Sequence, residues 1–172
     1  MSRRGSHYER AFESYLQTLN IPYVAIDQAR KAILSGAKIK SFDFIVYPDN
    51  RRRVLADVKG RKLTFRTFRR RGLGENWATV DDINGLRSWE EVFGADHLGV
   101  FVFAYWLYDL DDAGEGEAVY LYEGRKYTFV AAELFGYQLV MKSRSPRWKT
   151  VFVPAGAFGE LAQPFDRFIV GK

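Results

Sequence analysis

Asp57 and Lys59 are the residues whose types and spacing most directly suggest chemistry. They lie in Val54-Leu-Ala-Asp57-Val-Lys59, a mostly apolar run that predicts a strand. Residues two apart on a strand share a face, so the carboxylate and the amine project together. Asp43 opens a second predicted strand, within Ser41-Phe-Asp43-Phe-Ile-Val-Tyr47. Pro48-Asp49-Asn50 between the two is turn chemistry, which makes them a hairpin and can bring Asp43 beside Asp57. Two neighbouring carboxylates repel unless a cation or a proton lies between them. Mg²⁺ suits such a pair, because it takes carboxylate and water oxygens in octahedral geometry. Lys59 beside it could orient or deprotonate a water, or stabilise charge on a phosphate. An acid, any residue, then Lys is expected about once by chance in this composition, so the surroundings carry the weight.

Those surroundings are distinctive. Residues 51–71 hold ten basic residues and one acid, Asp57, a net +9. The remaining 16 basic and 20 acidic residues leave the rest of the chain at −4. Eight of the ten are Arg, the better residue for planar, bidentate phosphate contact. Arg61, Lys62, Arg66, Arg69, Arg70 and Arg71 are therefore candidate nucleic-acid contacts, the alternative being a solvated loop. Two further acids, Glu9 and Glu13, stand four apart and so are neighbours on a predicted helix, at the margin of its buried face. Each could point into a cleft beside the sheet or sit in solvent.

The elements that would position these groups read as follows. Ser6 with Glu9 is a capping-box pattern. Tyr8, Ala11, Phe12, Tyr15, Leu16 and Leu19 then share one helical face. Short strands follow at 22–26, 42–47 and 54–59, with a short helix at 28–34. Residues 60–76 read as a loop. Thr79 caps a helix ending at Gly94, and 98–107 reads as a central strand. An acidic turn at 109–117 leads to a hairpin around Glu123-Gly124-Arg125, a short helix at 132–141, a strand at 150–154 and a helix near 158–161. The order predicts an α/β fold, a single domain with a central mixed β-sheet flanked by helices. The domain spans 1–172, with its motif-bearing part at 5–107 and a C-terminal extension at 108–172.

Composition narrows the chemistry. Hydrophobic residues make up 47% and charged residues 27% of 172, so the chain is not a disordered tail. There is no Cys, which excludes disulfides, Cys zinc sites, iron–sulfur clusters and a Cys nucleophile. Only His7 and His97 remain, so a metal would be a hard, oxygen-bound ion. No apolar run reaches membrane-spanning length, and the N-terminus lacks a signal-peptide pattern. The expected setting is cytoplasmic, with no membrane partner.

Residues 5–62 resemble the PD-(D/E)xK nuclease superfamily, and more narrowly its Holliday junction resolvase-like members. The resemblance rests on Gly5-Ser-His-Tyr-Glu9-Arg, Ile21-Pro-Tyr-Val-Ala-Ile26, Ser41-Phe-Asp43 and Asp57-Val-Lys59-Gly-Arg. Phe42 stands where the name-giving proline would be. The resemblance implies a restriction endonuclease-like core. It makes Asp43 and Asp57 ligands of Mg²⁺ or Mn²⁺, the Val58 carbonyl a further ligand and Lys59 the catalytic lysine. Glu9 would support the metal's water shell, with Glu13 as the other candidate for that place. It implies a homodimer as one assembly to test, although no feature identifies a dimer face.

The leading expectation is a Mg²⁺-dependent endonuclease acting on DNA, branched or damaged DNA included, with DNA and RNA undistinguished by the sequence. The alternative is a non-catalytic nucleic-acid-binding module on a nuclease-like fold; weaker still is a protein-interaction domain using 51–71. Elsewhere, His7 reads mainly as a helix-start residue and Asp81 and Asp82 as acids serving a helix N-terminus. Lys142, Arg144, Arg147, Trp148 and Lys149 form a second basic stretch, with Trp148 either stacking on a base or packing on the sheet.

Overall fold

The computed structural model describes residues 5–27, 39–49, 52–111 and 118–170. The expected helix at 28–34, most of the acidic turn, Asn50 and Arg51 lie outside them. The first helix, α1 (His7–Thr18), starts at Ser6, whose side chain accepts from the Glu9 N–H while Glu9 reaches back to the Ser6 N–H. Three strands follow: β1 (Tyr23–Ala25), β2 (Phe44–Val46) and β3 (Arg53–Leu63). They pair antiparallel in that order, Ala25 opposite Phe44 and Phe44 opposite Ala56. After β3 come α2 (Phe65–Arg71), β4 (Ala78–Thr79) and α3 (Val80–Phe93), the last closed by Gly94.

That stretch is the crossover that lets β5 (His97–Leu107) run parallel to β3, in register from Arg53–His97 to Leu63–Leu107. The hairpin of β6 (Tyr120–Tyr122) and β7 (Arg125–Glu133) adds β7 antiparallel to β5. The chain then forms α4 (Leu134–Val140), β8 (Lys142–Ser145), β9 (Thr150–Phe152), α5 (Ala155–Leu161), β10 (Gln163–Pro164) and α6 (Phe165–Val170). The main sheet runs β1-β2-β3-β5-β7-β10, with β6 also on β7, and a small second sheet runs β4-β9-β8.

The strand period of two divides the core. Even-numbered residues of β3 and β5, such as Ala56, Val58, Val100 and Val102, pack with Phe12 and Leu16 of α1 and Phe165 of α6. Odd-numbered residues such as Leu55, Phe101, Phe103 and Tyr105 pack with Leu86 and Trp89 of α3, Tyr137 of α4 and Phe158 of α5. Asp57 and Lys59 are odd-numbered and so face α3, whereas α1 covers the opposite face.

The expectation of a loop over 60–76 is corrected. β3 continues to Leu63 because it pairs with β5 along its whole length and buries Leu63 fully. Thr64 then caps α2, a helix that buries none of its residues and therefore has no apolar stripe to announce it. No helix among the described residues is long and apolar enough to cross a membrane.

Helix α1 approaches β3 so closely at Gly60 that an added Cβ would lie 2.1 Å from Cδ2 of Tyr8. Gly60→Ala is expected to cost about 1–3 kcal/mol, the usual penalty of overpacking a filled interface. A urea midpoint measured beside wild type checks this; an unshifted midpoint would mean that Tyr8 swings aside freely.

Candidate active site

The Asp43 backbone is locked into the sheet just beyond the end of β2. Its N–H donates to the Ala56 carbonyl at 3.0 Å, and its carbonyl accepts from the Ile26 N–H at 2.9 Å. The β2–β3 ladder ends there, and the Val58 N–H, next to face β2, donates to Asp43 Oδ2 at 2.8 Å. The carboxylate thus takes the place a backbone carbonyl would hold, at the point where the strands part. The Val58 carbonyl faces the same edge, since the polar groups of a strand residue point toward one neighbour. Asp43 and Asp57 are each 7% exposed.

The hairpin does bring Asp43 and Asp57 into electrostatic contact, and a third aspartate joins them from α3. Lys59 Nζ lies 3.1 Å from Asp57 Oδ2 and 3.0 Å from Asp82 Oδ1. Lys40 Nζ reaches the same Asp82 oxygen at 2.5 Å. The Lys40 backbone is held against α3 by Trp89, whose Nε1 donates to its carbonyl at 2.9 Å. Asp82 also closes the capping box of α3, accepting from the Thr79 N–H at 2.9 Å.

Three carboxylates thus share two lysines. Burial pushes the Asp57 carboxyl up to about 8; Lys59 opposes the rise, while Asp43 and Asp82 add to it. Burial also acts against charge on Asp82, but Lys59, Lys40 and the Thr79 N–H outweigh it and bring that carboxyl down to about 2. Burial disfavours the Lys59 charge as well, and Asp57 and Asp82 overcome it, so the amine is held above its ordinary value. The outcome is an ionised Asp82 bound to a charged Lys59, with Asp57 beside Asp43 disfavoured as an anion. Such a carboxylate pair takes up a proton or a cation.

The two helix acids are engaged elsewhere. Glu9 Oε2 accepts from the Ser6 N–H at 2.7 Å, under Gly5, where a Cβ would lie 1.6 Å from that oxygen. Glu13 Oε1 accepts from the Tyr23 hydroxyl at 3.0 Å, on the edge strand β1. Among the described residues, no three His, Cys, Asp or Glu side chains form a cluster arranged for a metal ion. Two carboxylates and an adjacent carbonyl edge still fit Mg²⁺, which commonly uses one or two carboxylates with waters and substrate phosphates.

The basic residues divide in two. Arg61 turns inward: it lies 4.0 Å over the Trp77 ring, donates to the Trp77 carbonyl, and bonds the Gly60 carbonyl at 2.8 Å. Lys62 faces the other way, 3.7 Å over the Tyr108 ring and 5.2 Å over Trp106. Arg66, Arg69, Arg70 and Arg71 project from α2 into solvent. His7 bonds the Tyr127 hydroxyl at 2.8 Å, as a structural helix-start residue would. Trp148 is 69% exposed, with Arg147 over its ring, so it does not pack on the sheet.

Sequence reasoning missed Asp82 and Lys40 as members of this cluster. Asp82 looks like an ordinary helix-start acid, and Lys40 belongs to no motif. The usable signal was Lys59 itself, which needs a charge partner when buried.

No protein-family model matches the chain, and no curated protein sequence matches it. Among solved structures the chain is similar to the 1.6 Å structure of Hjc, a Holliday junction resolvase from the archaeal hyperthermophile Archaeoglobus fulgidus. The two are 13% identical, with a TM-score of 0.53 over 94% of this chain and 96% of that one. At that identity the likeness speaks for the fold alone: a mixed α/β domain with a central sheet flanked by helices and a restriction endonuclease-like core.

Proposed function

We propose that this protein is a Mg²⁺- or Mn²⁺-dependent endonuclease that hydrolyses phosphodiester bonds in DNA, with branched DNA the first substrate to try. One observation carries the reading: Asp43 and Asp57, both buried, lie where β2 and β3 part, near enough for the Asp43 charge to oppose ionisation of Asp57. Asp43, Asp57 and the Val58 carbonyl would hold the ion. When bound, the ion supplies an activated water and offsets charge on the phosphate oxygens.

The chain's own groups do the rest. Lys59 is held charged, so it acts as a fixed cation beside the reacting phosphate rather than as a base. Asp82 fixes the position of that cation. The α2 arginines hold the strand through its phosphates, a contact sensitive to salt and nearly indifferent to sequence.

The test is cleavage of a supercoiled plasmid and a synthetic four-way junction with Mg²⁺, by wild type, Asp57→Asn and Lys59→Ala. Cleavage by wild type with loss in both variants is expected. Equal activity in all three removes the site. The second reading, a binding module without catalysis, draws on the Glu9 and Glu13 carboxylates being used elsewhere. It is favoured if wild type binds the junction and cuts nothing.

A further inference from the structure

A groove of about 430 Å³ lies between α2 and the small second sheet. Arg70 and Arg71 line one wall and Arg144 of β8 the other. Phe152 and Val153 contribute an apolar floor. Glu75 is the groove's one carboxylate, 3.4 Å from Arg71. Three guanidinium groups and one carboxylate around a single concavity repel one another on balance, unless an anion enters. Arginine forks match the oxygens of a phosphate in particular.

The wall is also tied to the interior by hydrogen bonds. Asn76 is fully buried, and its side chain exchanges two 2.8 Å hydrogen bonds with the Val153 backbone. Its carbonyl accepts from the Tyr137 hydroxyl at 2.6 Å. A groove held open in this way binds without first ordering its own backbone.

The groove connects with the candidate active site. Arg61 lies two residues beyond Lys59 on the same face of β3, about 7 Å along the strand. The Trp77 ring has Arg61 4.0 Å away and Arg144 5.1 Å away. The path from Lys59 to Arg144 is thus on the order of 15 Å and lined by cations.

We propose that Arg70, Arg71 and Arg144 form a second phosphate site, which grips a backbone phosphate of the same DNA strand a few nucleotides from the scissile bond. This rests on the nuclease reading above. The apolar floor takes the sugar or base of that nucleotide. The sequence places Arg144 more than seventy residues from the basic window, in the C-terminal part, and the fold joins the two.

The test is fluorescence anisotropy of a labelled single-stranded oligonucleotide and a labelled four-way junction, with full-length protein in EDTA at about 0.1 M salt. Arg71→Ala/Arg144→Ala is expected to weaken binding at least about tenfold and to lower the salt slope by roughly one to two. Glu75→Gln is expected to tighten binding about two- to threefold, a direction that loss of structure would not give. Thermal melts confirm that each variant is folded, and Arg144→Lys should retain most of the affinity.

Wild-type affinity and salt slope in the double variant overturn the second site and leave the nuclease reading untouched. Binding of inorganic phosphate without competition against the strand also overturns it, by marking the groove as a small-anion site. Weakened binding in the double variant, together with full cleavage by Asp57→Asn, keeps the groove and removes the catalytic assignment. A wild type that binds neither DNA overturns both.

Discussion

Asp57→Asn is expected to lower plasmid cleavage by at least about 10²–10³-fold while making the metal-free protein more heat-stable, by roughly 2–4 °C for each kcal/mol gained. The two effects have one cause. A buried carboxylate next to Asp43 and Asp82 is unfavourable when charged, as the rise of its carboxyl to about 8 records. The isosteric amide carries no charge to desolvate, and Lys59 keeps Asp82 as its partner at 3.0 Å. What disfavours the folded state without an ion is what would favour a divalent cation with one. The same shift fixes a pH dependence. Between the usual 3.8 and about 8 the folded protein holds a proton at Asp57 that the unfolded chain has lost. Stability of the metal-free protein should therefore fall as pH rises through that window and level off above it. Mg²⁺ competes with that proton, so it should raise the melting temperature more at pH 8 than at pH 6. Asp57→Asn should abolish both the slope from this group and the Mg²⁺ effect. A variant that melts like wild type at every pH, with and without Mg²⁺, would show that Asp57 is neither strained nor a ligand.

Much of this is legible in the sequence, for physical reasons that differ by element. The cap and apolar stripe of α1 and the pairing of β2 with β3 depend on local chemistry, and the structure shows both, with β3 running on to Leu63. The long apolar run of β5 needs burial on both faces, which only a central strand provides. Helix α2 was not legible, because seven residues rich in Arg with no buried side chain carry no helical period. Strand β4 has two residues, and its identity comes from pairing with β9 more than seventy residues later. The same distinction runs through the site. Asp43, Asp57 and Lys59 lie on one hairpin, so their meeting follows from strand period and a turn. Asp82 meets Lys59 only because the β3-to-β5 crossover lays α3 over that face of the sheet. Lys40 meets Asp82 only because α3 presses against the segment before β2, so closely that a Cβ on Gly85 would lie 2.8 Å from the Lys40 carbonyl.

Asp82 carries the second large effect, and it falls on stability first. Asp82→Ala removes one of the two carboxylates on Lys59 and the partner of Lys40, together with the acceptor for the Thr79 N–H at the start of α3. Lys59 then stays largely buried, 14% exposed, with Asp57 at 3.1 Å as its remaining carboxylate. Leaving a buried charge with no partner costs about 3–5 kcal/mol; Asp57 still faces Lys59, so the cost is expected at or below the lower end of that range, and the lost cap adds about 1 kcal/mol. Lys40→Ala is the contrasting variant. Its amine is half exposed, and its loss leaves the Asp82–Lys59 pair and the cap in place, so a cost of about 1 kcal/mol or less is expected. Because the Asp82 carboxyl is held down near 2, its contribution is fully present above the usual 3.8 and is lost as pH falls from there toward 2. Acid unfolding of wild type should steepen in that interval, and Asp82→Asn, which keeps a cap acceptor without the charge, should flatten it. The Asn variant also separates architecture from chemistry. If Asp82 serves only to hold α3, Asp82→Asn cuts DNA at the wild-type rate once folded. If it holds the Lys59 cation on the reacting phosphate, turnover falls while affinity for DNA in EDTA is unchanged. Equal stability of Asp82→Ala and Lys40→Ala by chemical denaturation would overturn the assignment of Asp82 as an anion that Lys59 depends on.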